Sequence, residues 1–178
     1  TQGVVAVMAG IEPSPAFLTG KEMRARRDEF FEFGFEEEYT MENGNDSAYY
    51  RLRLGEEVYL STEDAPRHLT DENDVVCVRP GEFALLTTYE KLKLRSDYVG
   101  FISMKFNPKA RGLINVSGFQ VDPGFQGRLI FSVYNAGPND VVLRYKSPVF
   151  IVMFAKTTSP APYFGPFQKM EKIPVDMI

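Results

Sequence analysis

Short segments in which apolar and polar residues alternate fill most of the chain, and turn-forming residues separate them. Alternation over roughly four to eight residues is typical of β-strands that bury one face. The pattern predicts strands at Tyr49–Leu54, Val75–Arg79, Phe83–Thr88, Tyr98–Lys105, Leu113–Val121, Gly127–Asn135, Asp140–Tyr145 and Pro148–Phe154. Many short strands with turn signals between them indicate a sandwich, a barrel or a jelly roll.

The segment before these strands predicts one helix. Thr19 can cap it and Glu22 follows at capping-box spacing, so we expect a short amphipathic helix from Thr19 to about Phe31. Gly20 is an unfavourable first helical residue. After the strands the chain becomes rich in proline and aromatic residues, which predicts an extended arm over residues 158–178. We expect this arm to pack on a surface such as a neighbouring subunit.

Composition indicates an ordinary globular protein. The chain has 178 residues, of which 44% are hydrophobic and 25% charged, so we predict a single domain spanning residues 1–178. Its net charge of −4 gives no reason to expect a nucleic acid or an anionic membrane as partner. No apolar run approaches the length of a membrane span, and the first ten residues lack the basic residues of a signal peptide. We therefore expect a cytoplasmic protein.

The chain contains one cysteine, Cys77, and one histidine, His68. Cys77 cannot form an internal disulfide, so the chain suits a reducing compartment. One His and one Cys are too few to build a His/Cys zinc site within one chain. We therefore expect no metal site formed by side chains, because the His/Cys cluster that zinc deaminases need cannot be built within one copy of this chain.

The stretch from Asn115 to Asn135, NVSGFQVDPGFQGRLIFSVYN, alternates, breaks at an Asp-Pro-Gly turn and alternates again. Asp122 begins this turn, and aspartate is common there because its side chain bonds nearby backbone. A positioned carboxylate can also accept a proton from an attacking water. The residues alone leave both interpretations of Asp122 open.

Several motifs together resemble one protein family, the dCTP deaminase branch of the dUTPase superfamily. The residues that carry the resemblance are Pro80–Thr88, Leu94–Gly100, Val121–Gly127 and Tyr134–Gly137, together with Leu18–Met23 and Tyr50–Gly55. The resemblance implies a mainly β subunit, a distorted β-barrel or jelly roll with one or two short helices, one of them N-terminal. It also implies a homotrimer with active sites between subunits, binding a pyrimidine deoxynucleoside triphosphate with Mg²⁺ held through the phosphates. The C-terminal arm would close over a site.

The resemblance also implies roles for individual residues. Asp122 matches the aspartate near the deoxyribose 3′-hydroxyl, which orients the attacking water in dUTPases. Phe125 matches the aromatic residue that packs on the sugar and leaves no room for a 2′-hydroxyl. The other matching positions form the base-reading hairpin and the covering arm, and they are Val116, Ser117, Gly118, Gln120, Tyr163 and Lys169.

The phosphate-binding motif departs from the family pattern, which reads Arg-Ser-Ser-x-x-Arg-x-Gly in the deaminases. Counting back from Gly112, Lys105 lies near the first arginine and Phe106 near the first serine, while Arg111 or Lys109 stands for the second arginine. Three cations so close together can neutralise a triphosphate. The alternative is that these three cations only form a basic, solvent-exposed edge of the protein and bind no phosphate.

A second departure concerns the general base. Deaminases of this branch carry a glutamate ten residues after the aspartate, and Ser132 occupies that position here. Deamination without zinc needs a group that deprotonates water, and a serine cannot do this alone near neutral pH. We therefore expect either a dCTP deaminase-like enzyme converting dCTP to dUTP or a dUTPase-like hydrolase with an Asp-activated water. The alternatives are a catalytically lapsed trimeric module for nucleotide binding or assembly, and an oligomerisation domain without a ligand.

Overall fold

The computed structural model describes residues 17–178, so the first ten residues, on which the signal-peptide expectation rests, lie outside the described part. The strands are β1 (Phe31–Phe33), β2 (Met41–Glu42), β3 (Asn45–Asp46), β4 (Tyr50–Leu60), β5 (Arg67–His68), β6 (Val75–Val78), β7 (Phe83–Thr88), β8 (Lys91–Lys93), β9 (Tyr98–Met104), β10 (Leu113–Asn115), β11 (Gln120–Val121), β12 (Gln126–Gly127), β13 (Ile130–Asn135), β14 (Val141–Arg144) and β15 (Pro148–Lys156). The α-helices are α1 (Gly20–Ala25) and α2 (Phe106–Ala110), and 3-10 turns cover Arg27–Glu29, Glu37–Thr40 and Val175–Met177.

One large curled sheet dominates the fold. Its strands follow the order β10-β13-β7-β4-β15-β9-β11, with β5 paired to β4. Smaller sheets consist of β1-β8-β12, of β14-β6 and of β2-β3, and neighbouring strands within the sheets are antiparallel. The prediction of a mainly β, distorted barrel with two short helices is confirmed. No helix within residues 17–178 is long and apolar enough to cross a membrane.

Alternation along β13 separates the core from a second, accessible face. Phe131 and Val133 are fully buried, and the Phe131 ring stacks on Phe150 with centroids 3.9 Å apart. Ile130 and Ser132 point to the opposite side and are only half-buried. Because successive side chains of a strand point to opposite faces, the same strand supplies both the core and the surface on which the candidate site is built.

Helix α1 is shorter than predicted, since it ends at Ala25 and a 3-10 turn follows. The predicted capping box is confirmed, with the Thr19 backbone N–H donating to the Glu22 carboxylate at 2.8 Å. A Cβ on Gly20 would lie 2.3 Å from the carbonyl oxygen of Thr40. Any larger residue would clash with the Thr40 backbone, and this explains why a glycine begins the helix although glycine has a low helix propensity.

One strand prediction was wrong in detail, and one element was not predicted. The single strand Leu113–Val121 is split into β10 and β11, because the chain leaves the sheet between them. The basic segment after β9 forms α2, which propensity did not predict because the helix contains Pro108. Proline is tolerated in a first helical turn, where its missing N–H has no partner to lose.

A buried ionic cluster joins β4 to the turn after β7. The Arg53 guanidinium donates to the Glu90 carboxylate at 2.7 Å and also to Glu36, and it lies between the rings of Tyr39 and Tyr89 at 4.6 and 4.5 Å. Glu90 is fully buried, and this burial raises the pKa of its carboxyl to about 7 although Arg53 opposes the shift.

The C-terminal arm packs on its own chain. Its backbone follows β12, with the Lys169 N–H donating to Gln126 O at 2.7 Å and the Arg128 N–H donating to Met170 O at 2.8 Å. Ile173 is buried, and its N–H donates to the Glu57 carboxylate at 3.2 Å. The arm therefore covers part of the sheet in cis. The division into one domain over residues 1–178 with an arm at 158–178 stays a prediction.

Candidate functional site

A tight turn after β11 presents Asp122. The Phe125 N–H donates to Asp122 O at 3.1 Å, and Gly124 has a φ of 80°. Proline followed by glycine with positive φ is the signature of a type II turn. The loop after β8 supports this turn from below, since the Leu94 N–H donates to Phe125 O at 2.8 Å and the Gly124 N–H donates to Arg95 O at 3.1 Å.

The Asp122 carboxylate is oriented by Gln120, which lies two residues earlier in β11. Val121 is buried, so Gln120 and Asp122 both project to the opposite, outer side of β11. The Gln120 side-chain amide donates to Oδ1 of Asp122 at 2.8 Å. No residue among those described donates to Oδ2. One carboxylate oxygen is thus held by the protein, and the other is available to a ligand or a water.

A second polar chain links the hairpin loop to β13. The Ser117 hydroxyl and backbone N–H both donate to Asn115 Oδ1, and the Ser117 hydroxyl oxygen accepts from the Ser132 N–H at 3.3 Å. The Val116 N–H donates to Ser132 O at 2.8 Å. The Ser132 hydroxyl itself bonds to no residue within the described range. It is therefore available to a ligand as a donor or an acceptor.

These elements enclose a cavity of about 750 Å³ between the accessible sheet face, the hairpin loop and the arm. The size falls within the roughly 300–1,000 Å³ usual for small-molecule sites. Its lining residues are Tyr59, Ser61, Phe83, Leu85, Ile102, Ser117, Gly118, Gln120, Val121, Asp122, Phe125, Arg128, Leu129, Ile130, Ser132, Tyr163, Phe167, Met170, Pro174 and Ile178. Most of these side chains are apolar.

The structure brings together seven of the residues singled out from the sequence. The seven that line the cavity are Ser117, Gly118, Gln120, Asp122, Phe125, Ser132 and Tyr163. Five others lie elsewhere: Val116 is exposed, Lys105 is half-buried before α2, Lys109 and Arg111 are exposed at the end of α2, and Lys169 is exposed with its backbone bonded to Gln126. The cations expected to bind phosphate therefore lie outside the cavity.

Sequence reasoning missed the apolar wall of this cavity and the arm residues Phe167, Met170, Pro174 and Ile178 that line it beside Tyr163. The wall comes from Tyr59 of β4 and from alternate residues of β7 and β13, and the first four residues of β7 are apolar on both faces. Hydrophobic pattern alone could not tell which face was buried. Gln168 was also missed, although its side chain donates to Gly124 O at 2.8 Å and accepts from the Gln126 N–H at 2.8 Å. This side chain fastens the arm to the turn that holds Asp122.

Two charged side chains line the cavity among the described residues, Asp122 and Arg128. The Arg128 guanidinium donates to the carbonyl oxygens of Thr88 and Tyr89 and lies over the Phe33 ring. Asp122 is thus the one carboxylate in the lining. Within residues 17–178 no group of three or more His, Cys, Asp or Glu side chains is arranged to hold a metal ion.

Comparison with known proteins gives a family for this architecture. The family model for dCTP deaminase-like proteins matches residues 39–157, about two thirds of the chain. The chain belongs to the dCTP deaminase-like family. The matched range contains Asp122 and Ser132, while the arm lies outside it.

Individual relatives of this dCTP deaminase-like chain are moderately similar to it. The dCTP deaminase of Pyrococcus abyssi is 32% identical over 128 residues, which cover 71% of this chain and 80% of the relative. That of Pyrobaculum aerophilum is 36% identical over 107 residues, 59% of this chain and 60% of the relative. The 2′-deoxycytidine 5′-triphosphate deaminase structure from Agrobacterium tumefaciens superposes with a TM-score of 0.62 at 16% identity, covering 79% of this chain and 49% of that one. That likeness shows the shared fold.

Proposed function

We propose that this chain is a protein of nucleotide metabolism that binds a pyrimidine deoxynucleoside triphosphate in the cavity beside Asp122. The observation that carries the proposal is the convergence of the hairpin loop, Asp122, Phe125 and the arm's Tyr163 on one cavity. In this proposal the backbone groups near Gly118 read the base, Phe125 packs on the sugar, and the free oxygen of Asp122 meets the 3′-hydroxyl or a water. Family membership supports the same class of ligand.

The chemistry available to this cavity favours phosphate hydrolysis over deamination. Asp122, held by Gln120, can accept a proton from a water that attacks phosphorus. Deamination of cytosine needs a base near the ring, and Ser132 supplies only a hydroxyl there. If the chain is an enzyme, we therefore expect a dUTPase-like hydrolase with an Asp-activated water.

The triphosphate would need cations from outside the cavity. Lys105, Lys109 and Arg111 lie next to exposed apolar side chains on α2, β10 and the hairpin loop, among them Phe106 at 76% and Val116 at 55% exposure. Exposed apolar patches of this kind mark interaction surfaces. A homotrimer that covers this surface could bring one copy's cations to another copy's cavity. Mg²⁺ would be held by the phosphates and would neutralise their charge there.

A catalytically lapsed module is the second candidate. Ser132 in the cavity and the exposed Phe106 near the position of a phosphate-binding serine favour it. Such a module would keep the trimer and the nucleotide for sensing or assembly. It predicts binding without turnover.

Product analysis separates these possibilities. The 178-residue chain is incubated with Mg²⁺ and either dCTP or dUTP, the products are resolved by chromatography, and assembly size is measured in parallel. Monophosphate and pyrophosphate are expected for a hydrolase, and Asp122→Asn should abolish them. Asp64→Asn, an exposed turn aspartate outside the cavity, serves as the matched control and should retain full turnover.

Each remaining outcome has a clear meaning. dUTP formed from dCTP would contradict the argument from Ser132. Thermal stabilisation by a nucleotide without any product would favour the lapsed module. Absence of both stabilisation and product would contradict nucleotide binding altogether.

A further inference from the structure

The cavity extends beyond the polar groups around Asp122 onto an apolar surface of the sheet. In the strand register Ser132 lies opposite Leu85, and Leu85 lies opposite Tyr59. Residues directly opposite in neighbouring strands project to the same face. We define the shelf as the cavity-lining side chains Tyr59, Phe83, Leu85, Ile130 and Ser132. It crosses three strands, β4, β7 and β13.

The arm forms a roof over this shelf. Phe167, Met170, Pro174 and Ile178 line the same cavity from the arm. The roof is fastened to the rest of the chain, since Lys91 pairs with Glu171 at 2.6 Å and the Ile173 N–H donates to the buried Glu57 carboxylate. The space between shelf and roof is therefore lined mainly by apolar side chains, with the hydroxyls of Tyr59 and Ser132 as the polar groups of the shelf, and it belongs to the same cavity as the space beside Asp122.

The polar end of the cavity is formed by Ser117, Gln120 and Asp122, on the hairpin loop, β11 and the turn after β11, whereas Arg128 and Ser132 are polar residues elsewhere in the lining. Gln120 and Asp122 are bonded to each other there, and Ser117 connects to the edge of the shelf through Ser132. Ser132 lies opposite Leu85, and its side chain is short. A longer side chain at position 132 would extend over Leu85 and occupy part of the shelf. An unmodified pyrimidine nucleotide offers hydrogen-bonding groups to the polar end but has nothing apolar with which to fill the shelf.

We propose that the preferred ligand is a base-modified pyrimidine deoxynucleotide that carries an apolar substituent at ring carbon C5. This inference rests on the proposed function, because the shelf is part of the same cavity. The sugar occupies N1, and the polar ring positions face the hairpin loop, so C5 is the carbon through which a substituent can reach away from both. The substituent lies between Leu85 and the arm.

Calorimetric titration of the full chain in Mg²⁺ tests this inference. The ligands are dCTP and dUTP, their 5-methyl derivatives and their 5-(1-propynyl) derivatives. Each buried carbon contributes about fourfold in affinity, so the propynyl derivatives should bind at least tenfold more tightly than their parents. Leu85→Phe fills the shelf and should reduce this preference to within about twofold. Val142→Phe, on the exposed side of β14 and outside the cavity, is the matched control and should retain the tenfold preference for the propynyl derivatives.

The outcomes separate this inference from the proposed function. Parent and propynyl nucleotides that bind equally, or a preference that survives Leu85→Phe, would overturn the inference and leave nucleotide binding intact. If Leu85→Phe changes the assembly size and leaves ligand preference as it was, a second copy covers the shelf and the inference is wrong. If none of the nucleotides binds, the proposed function itself is contradicted.

Discussion

Asp122 has two duties that a single residue can combine. Its backbone carbonyl closes the turn with Phe125, while its side chain is directed into the cavity by Gln120. The backbone carbonyl closes the turn, and among the described residues the Asp122 side chain bonds to Gln120 and to no backbone group, so the turn does not depend on the carboxylate. Which carboxylate oxygen is free depends on a single side-chain hydrogen bond, and that bond can be changed without altering the turn.

Replacing Gln120 by Glu should weaken nucleotide binding about tenfold. The change removes the donor to Asp122 and places a second carboxylate beside the first, so Asp122 turns away from its position. Titration calorimetry with dUTP measures the effect. Gln126→Glu is the matched control, because the Gln126 amide also donates to a carboxylate, that of Glu32, but outside the cavity. Equal affinities for wild type and Gln120→Glu would contradict a positioning role.

The buried pair of Arg53 and Glu90 makes stability depend on pH in a predictable direction. Arg53→Met leaves a fully buried carboxyl without its cation, which should cost about 3–5 kcal/mol of unfolding free energy at pH 8. Burial raises the pKa of Glu90 in the folded chain, and loss of Arg53 raises it further. A raised folded-state pKa stabilises the fold at low pH, and this contribution is lost as pH rises through that pKa.

The unfolding free energy lost in Arg53→Met should therefore be smaller at pH 5, where Glu90 is protonated, than at pH 8. Urea unfolding of the variant and the wild type at the two pH values measures this difference. Arg51→Met, which removes a half-exposed arginine of the same strand, should cost less and show little pH dependence. A pH-independent loss for Arg53→Met would show that Glu90 does not titrate in this range.

At the scale of elements, the arm depends on a glycine in β12. Gly127 has a φ of 133°, and a Cβ there would lie 2.5 Å from Met170 O. Gly127→Ala should therefore detach the arm from β12 and open the roof of the cavity. Trypsin should then cleave at Lys169 and Lys172 at least tenfold faster than in the wild type.

Gly44→Ala provides the matched comparison for this change. Gly44 also has a positive φ, of 78°, but no atom lies within 4 Å of its added Cβ. Alanine at Gly44 also has to adopt a positive φ but touches no part of the arm, so arm cleavage should match the wild type. Equal protection of the arm in Gly127→Ala and Gly44→Ala would contradict docking through β12.

For the whole molecule, the strand positions could largely be predicted, because alternation and turn residues are local signals. β7 has the predicted bounds, and β6, β9, β13, β14 and β15 differ from prediction by a few residues at an end. The split between β10 and β11 and the helix α2 could not be predicted, since tertiary contacts decide them. The cavity wall was missed because apolar residues on both faces of β7 look alike in sequence.

The central claim is that the cavity beside Asp122 binds a pyrimidine deoxynucleoside triphosphate. Titration calorimetry of the 178-residue chain with dCTP, dUTP, CTP and UTP in Mg²⁺ tests it most directly. We predict saturable binding of a deoxynucleotide, at least tenfold weaker binding of the matching ribonucleotide if Phe125, which lines the cavity, packs on the sugar as proposed, and at least tenfold weaker binding to Asp122→Asn. Absence of binding by all four, or affinities unchanged by Asp122→Asn, would contradict the claim.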